Sequence, residues 1–531
     1  MHPLVTLLSC LNAQAITNSF WNDVDRVSEL ADPPPAHLLE KIQEHPWRGG
    51  LEPVSPEGIP LHEAKVVEGK IPPDLEGTLC RNGPGRIRVG DIQYGHWFDG
   101  DGIVTRLSID GKSQKATYDA KYVETKRFEA QQKSSDDSVA KAGAWTKRGQ
   151  GKWWQNLFAI PTNPSNTNVI FFTDGKTSPS MYALAEGGNP VKINPSTLAT
   201  IGEAAFQSST GEKTASFFSA HYASDPKTGH IYNHGVVLAP KTAVNIMELD
   251  QHGELIQQSA TELPLLTFIH DNALSENYFV LLLPPFTTPP NAMLDSLLGG
   301  EPLGKQFAWN PDGNEMTTAM IFSKKTLDCI ARVSLPLLST YHLLDAFDDG
   351  NVVTLRVLVH EPPNSRNRVE ECFSDMYSAE DLPLCRMMEY CMDVESGKMI
   401  SSRRIAPDAA PCELPDMNMA WGYRKRYIYT NTREEGVDFT NSLQKVDLDT
   451  GKCSNLISFG DDVYAGSPIF VPKEDAKKED DGYVLAQLYR AKEHGSDICI
   501  LDARSMKKVT QLRLARPVPY QFHGAWFPGL F

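Results

Sequence analysis

Three signals are missing from this sequence of 531 residues, and each absence removes a class of protein. No run of 18 apolar residues occurs, so a membrane-spanning helix is not expected. The nine cysteines contain no C-x-x-C pair and are odd in number, which favours reduced thiols in an intracellular compartment over a disulfide framework. A sustained helical period of apolar residues is also absent, which leaves β-strands as the main structure.

A net positive charge is missing too. The formal net charge is −16, so nonspecific binding of nucleic acid through charge is excluded as a function. Overall charge would not draw the protein to an anionic membrane either, although a local patch could still dock there. With 41% hydrophobic and 22% charged residues, the composition is ordinary for a globular protein with a large core.

The first fifty residues differ from the rest of the chain. They contain the run Pro33–Pro35 and a predicted helix from His37 to Glu44. The short apolar run near the start has no basic residues before it, so a plain N-terminal extension is favoured over a signal peptide. We therefore divide the chain into an extension, residues 1–50, and one large domain, residues 51–531.

Short β-rich runs bounded by turn residues recur throughout the large domain. They are Asn168–Thr173, His230–Val237, Tyr278–Leu283, Val352–Val359, Tyr427–Thr430, Tyr483–Leu488 and Asp497–Leu501. Turn pairs such as Asp110-Gly111 and Thr450-Gly451 lie between such runs. This rhythm predicts an all-β fold of antiparallel sheets. A β-propeller fits it best, and a multi-sheet sandwich is the alternative.

Four histidines, each at or just after a short apolar or aromatic stretch, stand far apart in the sequence: His221, His270, His342 and His523. Their separation excludes a local metal knuckle, which needs ligands a few residues apart. It suits a closed fold whose strands converge on one axis. Four neutral imidazoles would suit a borderline divalent metal such as iron, copper or zinc. Spacing alone does not distinguish these four among the chain's fourteen histidines.

The sequence around the histidines is more specific. Six short motifs occur in order: RNGPG (Arg81–Gly85), HWFDGDGIV (His96–Val104), FSAHYASDPKTGHIYN (Phe218–Asn233), FIHDNALSENYFV (Phe268–Val280), SPIFVP (Ser467–Pro472) and FHGAWFPG (Phe522–Gly529). Together they resemble the carotenoid cleavage oxygenase family, and the resemblance runs from about Leu51 to the C-terminus. None of the motifs alone would be specific.

The resemblance implies a seven-bladed β-propeller, with helices and loops capping the face that carries the metal site. It implies Fe(II) on the axis, held by His221, His270, His342 and His523 as the catalytic metal ligands. The implied activity is a non-haem iron dioxygenase that uses O2 to cleave a C=C bond of a carotenoid or apocarotenoid, giving aldehyde or ketone products. We interpret His96, His230, His234 and His360 as structural.

Metal-bound imidazoles need a partner on the second ring nitrogen. The resemblance implies that Glu186 and Glu413 supply two such partners. The third position departs from the family, because Ser467 stands where the family has glutamate and brings no charge. Asp345 likewise replaces the family's asparagine after the third ligand. Both departures bear on the affinity for iron and on full activity.

Two further expectations concern the substrate and the membrane. Ala185 stands where stilbene-cleaving relatives have lysine, which favours a carotenoid or apocarotenoid. A stilbene-cleaving oxygenase, a retinoid isomerohydrolase-like enzyme and a non-catalytic propeller that binds a hydrophobic ligand remain alternatives. The stretch 281–300 predicts a short amphipathic helix whose apolar side forms a membrane patch, with core packing as the alternative: Met293, Leu294, Leu297 and Leu298. We expect a cytoplasmic or plastid protein with peripheral membrane contact.

Overall fold

The structure is a computed structural model, and it describes residues 36–134, 138–148, 153–173, 179–237, 241–309, 316–360 and 383–531. Cys10, Cys372 and the apolar run near the N-terminus lie outside these residues. The seven other cysteines are free thiols, as the sequence predicts. No helix among the described residues is long and apolar enough to cross a membrane.

Most of the described chain forms antiparallel strands, which we group into seven blades, I to VII. Blade I contains both an early and the last segment of the large domain: β1 (Ile59–Glu63), β3 (Glu76–Arg86), β6 (Asp101–Asp110), β7 (Lys115–Tyr122) and β35 (His523–Phe527). Blades II and III are simple four-stranded meanders. Blade II contains β8 (Asn168–Phe172), β9 (Ser180–Leu184), β10 (Val191–Ile193) and β11 (Thr200–Glu203). Blade III contains β12 (Ala223–Ser224), β13 (Ile231–Val237), β14 (Ala243–Leu249) and β15 (Leu255–Glu262).

Blades IV, V and VI continue the same pattern. Blade IV contains β16 (Asn272–Leu274), β17 (Tyr278–Leu283), β20 (Met316–Ser323) and β21 (Cys329–Pro336). Blade V contains β22 (Leu343–Asp349), β23 (Val352–His360), β24 (Cys385–Asp393) and β25 (Lys398–Arg404). Blade VI contains β26 (Cys412–Asp416), β27 (Tyr427–Thr432), β28 (Ser442–Asp447) and β29 (Lys452–Ser458). One bridge, between Cys385 and Cys412, joins blades V and VI into a continuous sheet.

Blade VII takes its outermost strand from the start of the domain. It contains β30 (Val463–Ala465), β31 (Ile469–Pro472), β32 (Gly482–Arg490), β33 (Gly495–Asp502), β34 (Lys508–Arg513) and β2 (Lys65–Gly69). Because β2 pairs with β34 and β35 pairs with β3, segments from both ends of the domain join the same two blades. Such exchange ties the ends of the chain together.

The core consists of apolar layers between neighbouring blades, rather than one central cluster. One layer packs blade I against blade II, others follow between each successive pair, and the seventh packs blade VII against blade I. Seven blades joined by seven interfaces close a ring, so the fold is a seven-bladed β-propeller. The multi-sheet sandwich alternative is wrong, because stacked sheets leave the first and last sheet apart, whereas here the last blade packs against the first.

Short elements outside the blades cover parts of the ring. They are the two-stranded ribbons β4 (Arg88–Val89) with β5 (Ile92–Gln93) and β18 (Phe286–Thr287) with β19 (Ala308–Trp309), the helices α1 (Ala36–Glu44), α2 (Lys126–Gln132) and α3 (Ala292–Leu297), and 3-10 turns at Pro46–Leu51, Trp97–Asp99, Trp153–Asn156, Leu303–Gln306 and Met419–Trp421. The predicted helices at 37–44 and in 281–300 are therefore present, as α1 and α3.

The described part of the extension is docked on the propeller. The ring of Trp47 stacks on Phe439, with centroids 4.6 Å apart, and its indole nitrogen donates to Asp438. His45 contacts the same carboxylate at 2.6 Å. A buried aromatic stack and two polar contacts hold residues 45–47 against the loop between β27 and β28.

Candidate metal centre

The four histidines singled out in the sequence come together at the centre of the ring. Each lies at, or one or two residues before, the first residue of a strand: His221 before β12, His270 before β16, His342 before β22 and His523 at the start of β35. The innermost strands lie side by side, with β16 against both β12 and β22. Because each histidine lies at or just before the start of the inner strand of its blade, four different blades each place one imidazole at the centre of the ring.

The imidazoles form a compact group. Ring centroids lie 4.3 Å apart for His221 and His270, 4.7 Å for His221 and His523, and 5.3 Å for His221 and His342. His342 lies 5.1 Å from His270 and 5.2 Å from His523. The ligand nitrogens of His221, His342 and His523 lie within 4.8 Å of one another. Side chains from residues three hundred positions apart in the chain therefore face one small volume.

The environment keeps three of these rings neutral. Burial, together with neighbouring imidazoles, holds the pKa values of His221 and His270 well below their usual range. Burial, His342 and Arg81 do the same for the pKa of His523. The buried Nε2 atoms of His221 and His342 have no hydrogen-bond partner in the described structure. Neutral imidazoles with unpartnered nitrogens are the donor set that a borderline divalent metal needs, so these residues fit a metal ion.

Glu413 holds His342 in place. Its Oε2 atom accepts the Nδ1 proton of His342 at 2.5 Å and also accepts from the backbone nitrogen of Leu414 at 2.8 Å. Burial alone would raise the pKa of Glu413, but His342 outweighs it and lowers the pKa to about 2. Burial likewise lowers the pKa of His342, and the Glu413 carboxylate more than reverses this. This contact leaves Nε2 of His342 free to face the other rings.

Glu186, just after β9 in blade II, lies beside two of the histidines. Its Oε1 atom is 3.8 Å from Nδ1 of His270 and 3.7 Å from Nε2 of His221. Burial and the nearby Asp271 raise the pKa of Glu186 well above its usual range. Neither distance is a hydrogen bond, so the role of Glu186 as a partner of a metal-bound histidine stays a prediction.

Ser467 does not replace a carboxylate partner. Its hydroxyl donates to the carbonyl of Pro468 at 3.2 Å, and its own carbonyl accepts from Nη1 of Arg81 at 2.9 Å. Within the parts of the chain that the structure describes, no carboxylate pairs with the ring of His523. Blade VII therefore carries the uncharged Ser467, whereas blades II and VI carry the carboxylates of Glu186 and Glu413.

Asp345 points to a different partner. Its carboxylate forms a buried ion pair with Arg356, in which Nε donates at 2.7 Å, and it accepts from the backbone nitrogen of Lys425 at 2.6 Å. The sequence marked Asp345 only as a departure from the family motif that bears on the affinity for iron. In the structure it fixes β22 to β23 and to the chain entering β27, which supports the strand that follows His342, and it also lines the cavity beside His342.

Asp271, which the sequence analysis did not single out, also organises the site. Its two oxygens accept from the backbone nitrogens of Asn272 at 2.7 Å and Leu343 at 2.8 Å, so it bridges blades IV and V. Oδ1 lies 3.7 Å from Nδ1 of His221. Burial raises the pKa of Asp271 to about 6. The sequence signal that could have identified Asp271 is its position directly after His270.

The two sides of the histidine group differ in chemistry. On one side a cavity of about 130 Å³ touches His221, His342 and His523, and its walls combine the carboxyl groups of Asp271 and Asp416 with apolar side chains. On the other side the rings meet aromatic side chains. Phe268 stacks on His270 at 5.7 Å, and Tyr341 meets the same ring edge-on at 5.3 Å. The aromatic side is therefore the more suitable one for an apolar ligand.

The aromatic side extends away from the histidines. Phe268 meets Phe286 at 6.3 Å and Phe307 at 6.1 Å, and Phe286 meets Trp309 at 5.0 Å. Phe286, Phe307 and Trp309 belong to the ribbon β18–β19 and its flanking loop between β17 and β20 of blade IV, whereas Phe268 precedes β16. The sequence predicted a short helix in 281–300, but not an aromatic wall next to the site.

All four histidines interpreted as structural make contacts of their own among the described residues. His230 contacts Glu248 at 2.8 Å, and His234 contacts the amide of Asn272 at 3.3 Å. Nδ1 of His360 lies 3.1 Å from the carbonyl of Ser339. His96 caps the 3-10 turn at Trp97–Asp99, where its ring accepts from Phe98.

Comparison with known proteins agrees with this site. Residues 51–528 match the family described as retinal pigment epithelial membrane protein, RPE65. The chain is 29% identical to the apocarotenoid-15,15'-oxygenase of Synechocystis, over 87% of this chain and 92% of that protein. It is 24% identical to the chloroplastic carotenoid cleavage dioxygenase 8 of Arabidopsis thaliana, over 92% and 85%. It is also 24% identical to isoeugenol monooxygenase of Pseudomonas nitroreducens, over 87% and 94%.

Solved structures show the same fold. A single-residue variant of the Synechocystis apocarotenoid oxygenase superposes with a TM-score of 0.79 at 27% identity, covering 91% of this chain and 98% of that one. A cobalt-substituted form of that enzyme gives 0.78 with the same coverage. The central histidines, the seven-bladed propeller and the match over nearly the whole domain lead to one conclusion: this chain belongs to the RPE65 family of carotenoid cleavage oxygenases and is an oxygenase.

Proposed function

We propose that the protein is a non-haem Fe(II)-dependent dioxygenase that cleaves a C=C bond of a carotenoid or apocarotenoid into two carbonyl products. The observation that carries the proposal is the convergence of His221, His270, His342 and His523 next to an aromatic wall. The names of its relatives, which include an apocarotenoid oxygenase and carotenoid cleavage dioxygenases, support the substrate class.

Iron suits the donor set. Neutral imidazoles carry no charge of their own, so four of them would leave a bound divalent ion its full charge. When bound, a ferrous ion supplies the redox chemistry that activates dioxygen, which zinc cannot do. Glu413 would orient His342 through its Nδ1 proton, and Glu186 would do the same for His270.

The chain's own contribution beyond metal binding is positioning. Phe268, Tyr341 and Phe307 offer ring faces and edges to a flat conjugated chain and keep water away from it. A rigid wall that holds one double bond near the histidines fixes the position and orientation of the reacting bond when the substrate binds. The cavity on the other side is small and has carboxyl groups in its wall, so we expect the substrate to approach from the aromatic side.

The substrate class is carotenoid or apocarotenoid, rather than stilbene. Ala185, which precedes Glu186, is buried and has no group that could contact a phenol. Isoeugenol monooxygenase is nevertheless among the relatives, so phenolic alkenes such as stilbenes and isoeugenol remain the second candidate substrates.

Turnover under labelled dioxygen tests the proposal. Iron-loaded protein would be incubated with carotenoids, apocarotenals, a stilbene and isoeugenol under 18O2, with mass spectrometry of the carbonyl products. We expect labelled aldehydes or ketones from a polyene. Unlabelled products would indicate an isomerohydrolase-like reaction. Full iron occupancy without turnover on any of these compounds would indicate a non-catalytic propeller that binds a hydrophobic ligand.

We also propose that the protein meets a membrane through an apolar surface, which we call the apolar patch. Two neighbouring segments form it, tied by a hydrogen bond of 2.7 Å from the nitrogen of Phe158 to the carbonyl of Leu297. Its most exposed members are Trp153, Trp154, Phe158, Ile160, Leu294 and Leu298. Of the residues predicted from sequence, Leu294 and Leu298 belong to it, whereas Met293 and Leu297 are half-buried.

Charge in the apolar patch should weaken membrane binding. Phe158 is 74% exposed, so Phe158→Asp is expected to leave the fold intact and to lower binding to phospholipid vesicles about tenfold or more, because one buried large apolar side chain contributes about 1.5–3 kcal/mol. KM for substrate delivered in vesicles should rise, with kcat unchanged. Ile201→Asp is the matched control, since Ile201 is 62% exposed on β11. Equal loss of vesicle binding in both variants would contradict the assignment.

The uncharged Ser467 predicts a way to strengthen the site. Ser467→Glu places a carboxylate in blade VII, where His523 has no acidic partner, and is expected to slow iron release to a chelator by about tenfold. Ser467→Gln has the same size without the charge and should release iron at the wild-type rate or faster. Faster release from Ser467→Glu than from the wild type would refute the predicted role of this position.

A further inference from the structure

A buried thiol lies behind Glu413, on the side away from the histidines. Cys385 is the first residue of β24 and is fully buried. Its Sγ atom lies 3.1 Å from Oε1 of Glu413, while Oε2 of the same carboxylate holds Nδ1 of His342 at 2.5 Å. Thiol, carboxylate and imidazole thus form a continuous chain from the layer between blades V and VI to the centre of the ring.

The direction of the proton in the first contact follows from the chemistry of the two groups. An ionised carboxylate can only accept hydrogen bonds, and a thiol can donate one. Burial raises the pKa of Cys385 well above its usual range, so the thiol keeps its proton. The carboxylate accepts from His342 through Oε2, so Oε1 is the oxygen that accepts from the thiol. Cys385 is therefore the donor and Glu413 the acceptor.

The thiol supplies a contact that no other group in the described part of the chain provides. Oε2 of Glu413 accepts from both His342 and the backbone of Leu414, whereas Oε1 accepts from Cys385 alone. Without that donor, a largely buried oxygen would be left unsatisfied. The carboxylate could then rotate toward another partner, and the ring of His342 would lose its fixed orientation.

We propose that Cys385 is a positioning residue of the metal site. Its thiol donates to Oε1 of Glu413 and fixes the carboxylate, and the carboxylate fixes His342 with Nε2 toward the other imidazoles. The proposal rests on the proposed role of the four histidines as metal ligands. In this proposal Cys385 is the third residue of a chain that runs from His342 through Glu413.

Two other roles for Cys385 are distinguishable. It belongs to an apolar layer with Leu358 and Met387, so it could act only by packing. In that case alanine, which is apolar, should be tolerated at least as well as serine. Alternatively, the ligand atoms of His360, Cys385 and Glu413 lie within 4.8 Å of one another, which would suit a zinc ion bound by a thiolate.

The experiment compares Cys385→Ala with Cys385→Ser in the full-length protein. Each variant is loaded with Fe(II) or with Co(II), whose visible spectrum reports the geometry of its ligands. The readouts are the rate of metal release to a chelator and the cobalt spectrum. Cys412→Ala is the matched control: Cys412 is also fully buried and pairs with Cys385 across the sheet, but its thiol interacts with Thr430 and Gln444.

We expect Cys385→Ala to release metal about tenfold faster than the wild type and to alter the cobalt spectrum. Serine keeps a donor at this position, so Cys385→Ser should release metal at close to the wild-type rate with an unchanged spectrum. Cys412→Ala should also match the wild type. Thermal unfolding of the metal-free proteins reports any loss of fold separately from the loss of metal.

A double-mutant cycle tests whether the thiol acts through the carboxylate. In a Glu413→Gln background, Cys385→Ala should add little further to the release rate, because the acceptor is already altered. This comparison remains valid if Cys385→Ala lowers stability. Independent, multiplicative effects of the two substitutions would overturn the proposal.

Three further outcomes would also overturn the proposal. One is release from Cys385→Ser as fast as from Cys385→Ala, which indicates packing alone. Another is wild-type behaviour of Cys385→Ala. The third is a second, tightly bound zinc that Cys385→Ser abolishes, which would make the thiolate a ligand. A wild-type protein that retains neither iron nor cobalt would refute the four-histidine centre itself, and with it this role.

Discussion

His523→Ala is expected to bring iron occupancy close to zero while leaving the propeller folded. The ring of His523 lies 4.7 Å from that of His221 and 5.2 Å from that of His342, so its loss opens one side of the centre. Three imidazoles with only two nearby glutamates hold a divalent ion far less firmly, because the remaining ligands no longer enclose it. Iron content by elemental analysis and turnover of a polyene should fall together.

The control for this variant is His230→Ala. His230 lies in blade III like His221, but its ring contacts Glu248 at 2.8 Å and takes no part in the central group. Its removal should leave iron content and turnover at wild-type values. His270→Ala should behave like His523→Ala, since His270 faces the same volume from blade IV. Unchanged iron in both His523→Ala and His270→Ala would refute the ligand assignment.

Removal of residues 522–531 is expected to prevent stable folding as well as metal binding. These residues include β35, which pairs with β3 from Thr78 to Asn82 and so joins the end of the chain to blade I. Phe522 is buried, and Trp526 packs against the layer between blades VII and I. Loss of each such aromatic side chain costs about 3–5 kcal/mol, in addition to the lost strand pairing, so the total rivals the stability of a whole domain.

Comparison with His523→Ala separates the two effects of the truncation. The substituted protein keeps β35 and should show nearly the same thermal unfolding as the metal-free wild type. The truncated protein should unfold at a much lower temperature or aggregate, because one blade loses its pairing strand. Removal of Leu530 and Phe531 alone keeps the strand and should retain metal. Wild-type stability of the longer truncation would contradict the role of β35 in closing the ring.

Backbone geometry next to His523 shows why this end of the chain tolerates little change. Gly524 follows the histidine, and a Cβ atom there would lie 2.5 Å from the carbonyl oxygen of Cys80. Only glycine therefore allows β35 to lie this close to β3. The motif FHG in the sequence thus combines a metal-ligand candidate with the residue that lets its strand pair.

Sequence alone indicated the all-β fold, located seven of its strands and identified the four histidines. Alternation and turn residues are local properties, so strands such as Tyr278–Leu283 were predicted with the bounds that the structure has. The histidines were identified by the motifs around them, because spacing carries no information about side chains that meet through a closed ring.

Tertiary structure alone decided which contacts the groups around those histidines make. That Glu413 holds His342 at 2.5 Å and that Cys385 lies behind it depend on how blades V and VI meet. The pairing of Asp345 with Arg356 depends on the register of β22 and β23. The apolar patch likewise joins Phe158 to Leu297, segments far apart in sequence. Contacts between blades form where side chains from distant strands share a layer, and a local pattern of residues does not encode which distant strand that will be.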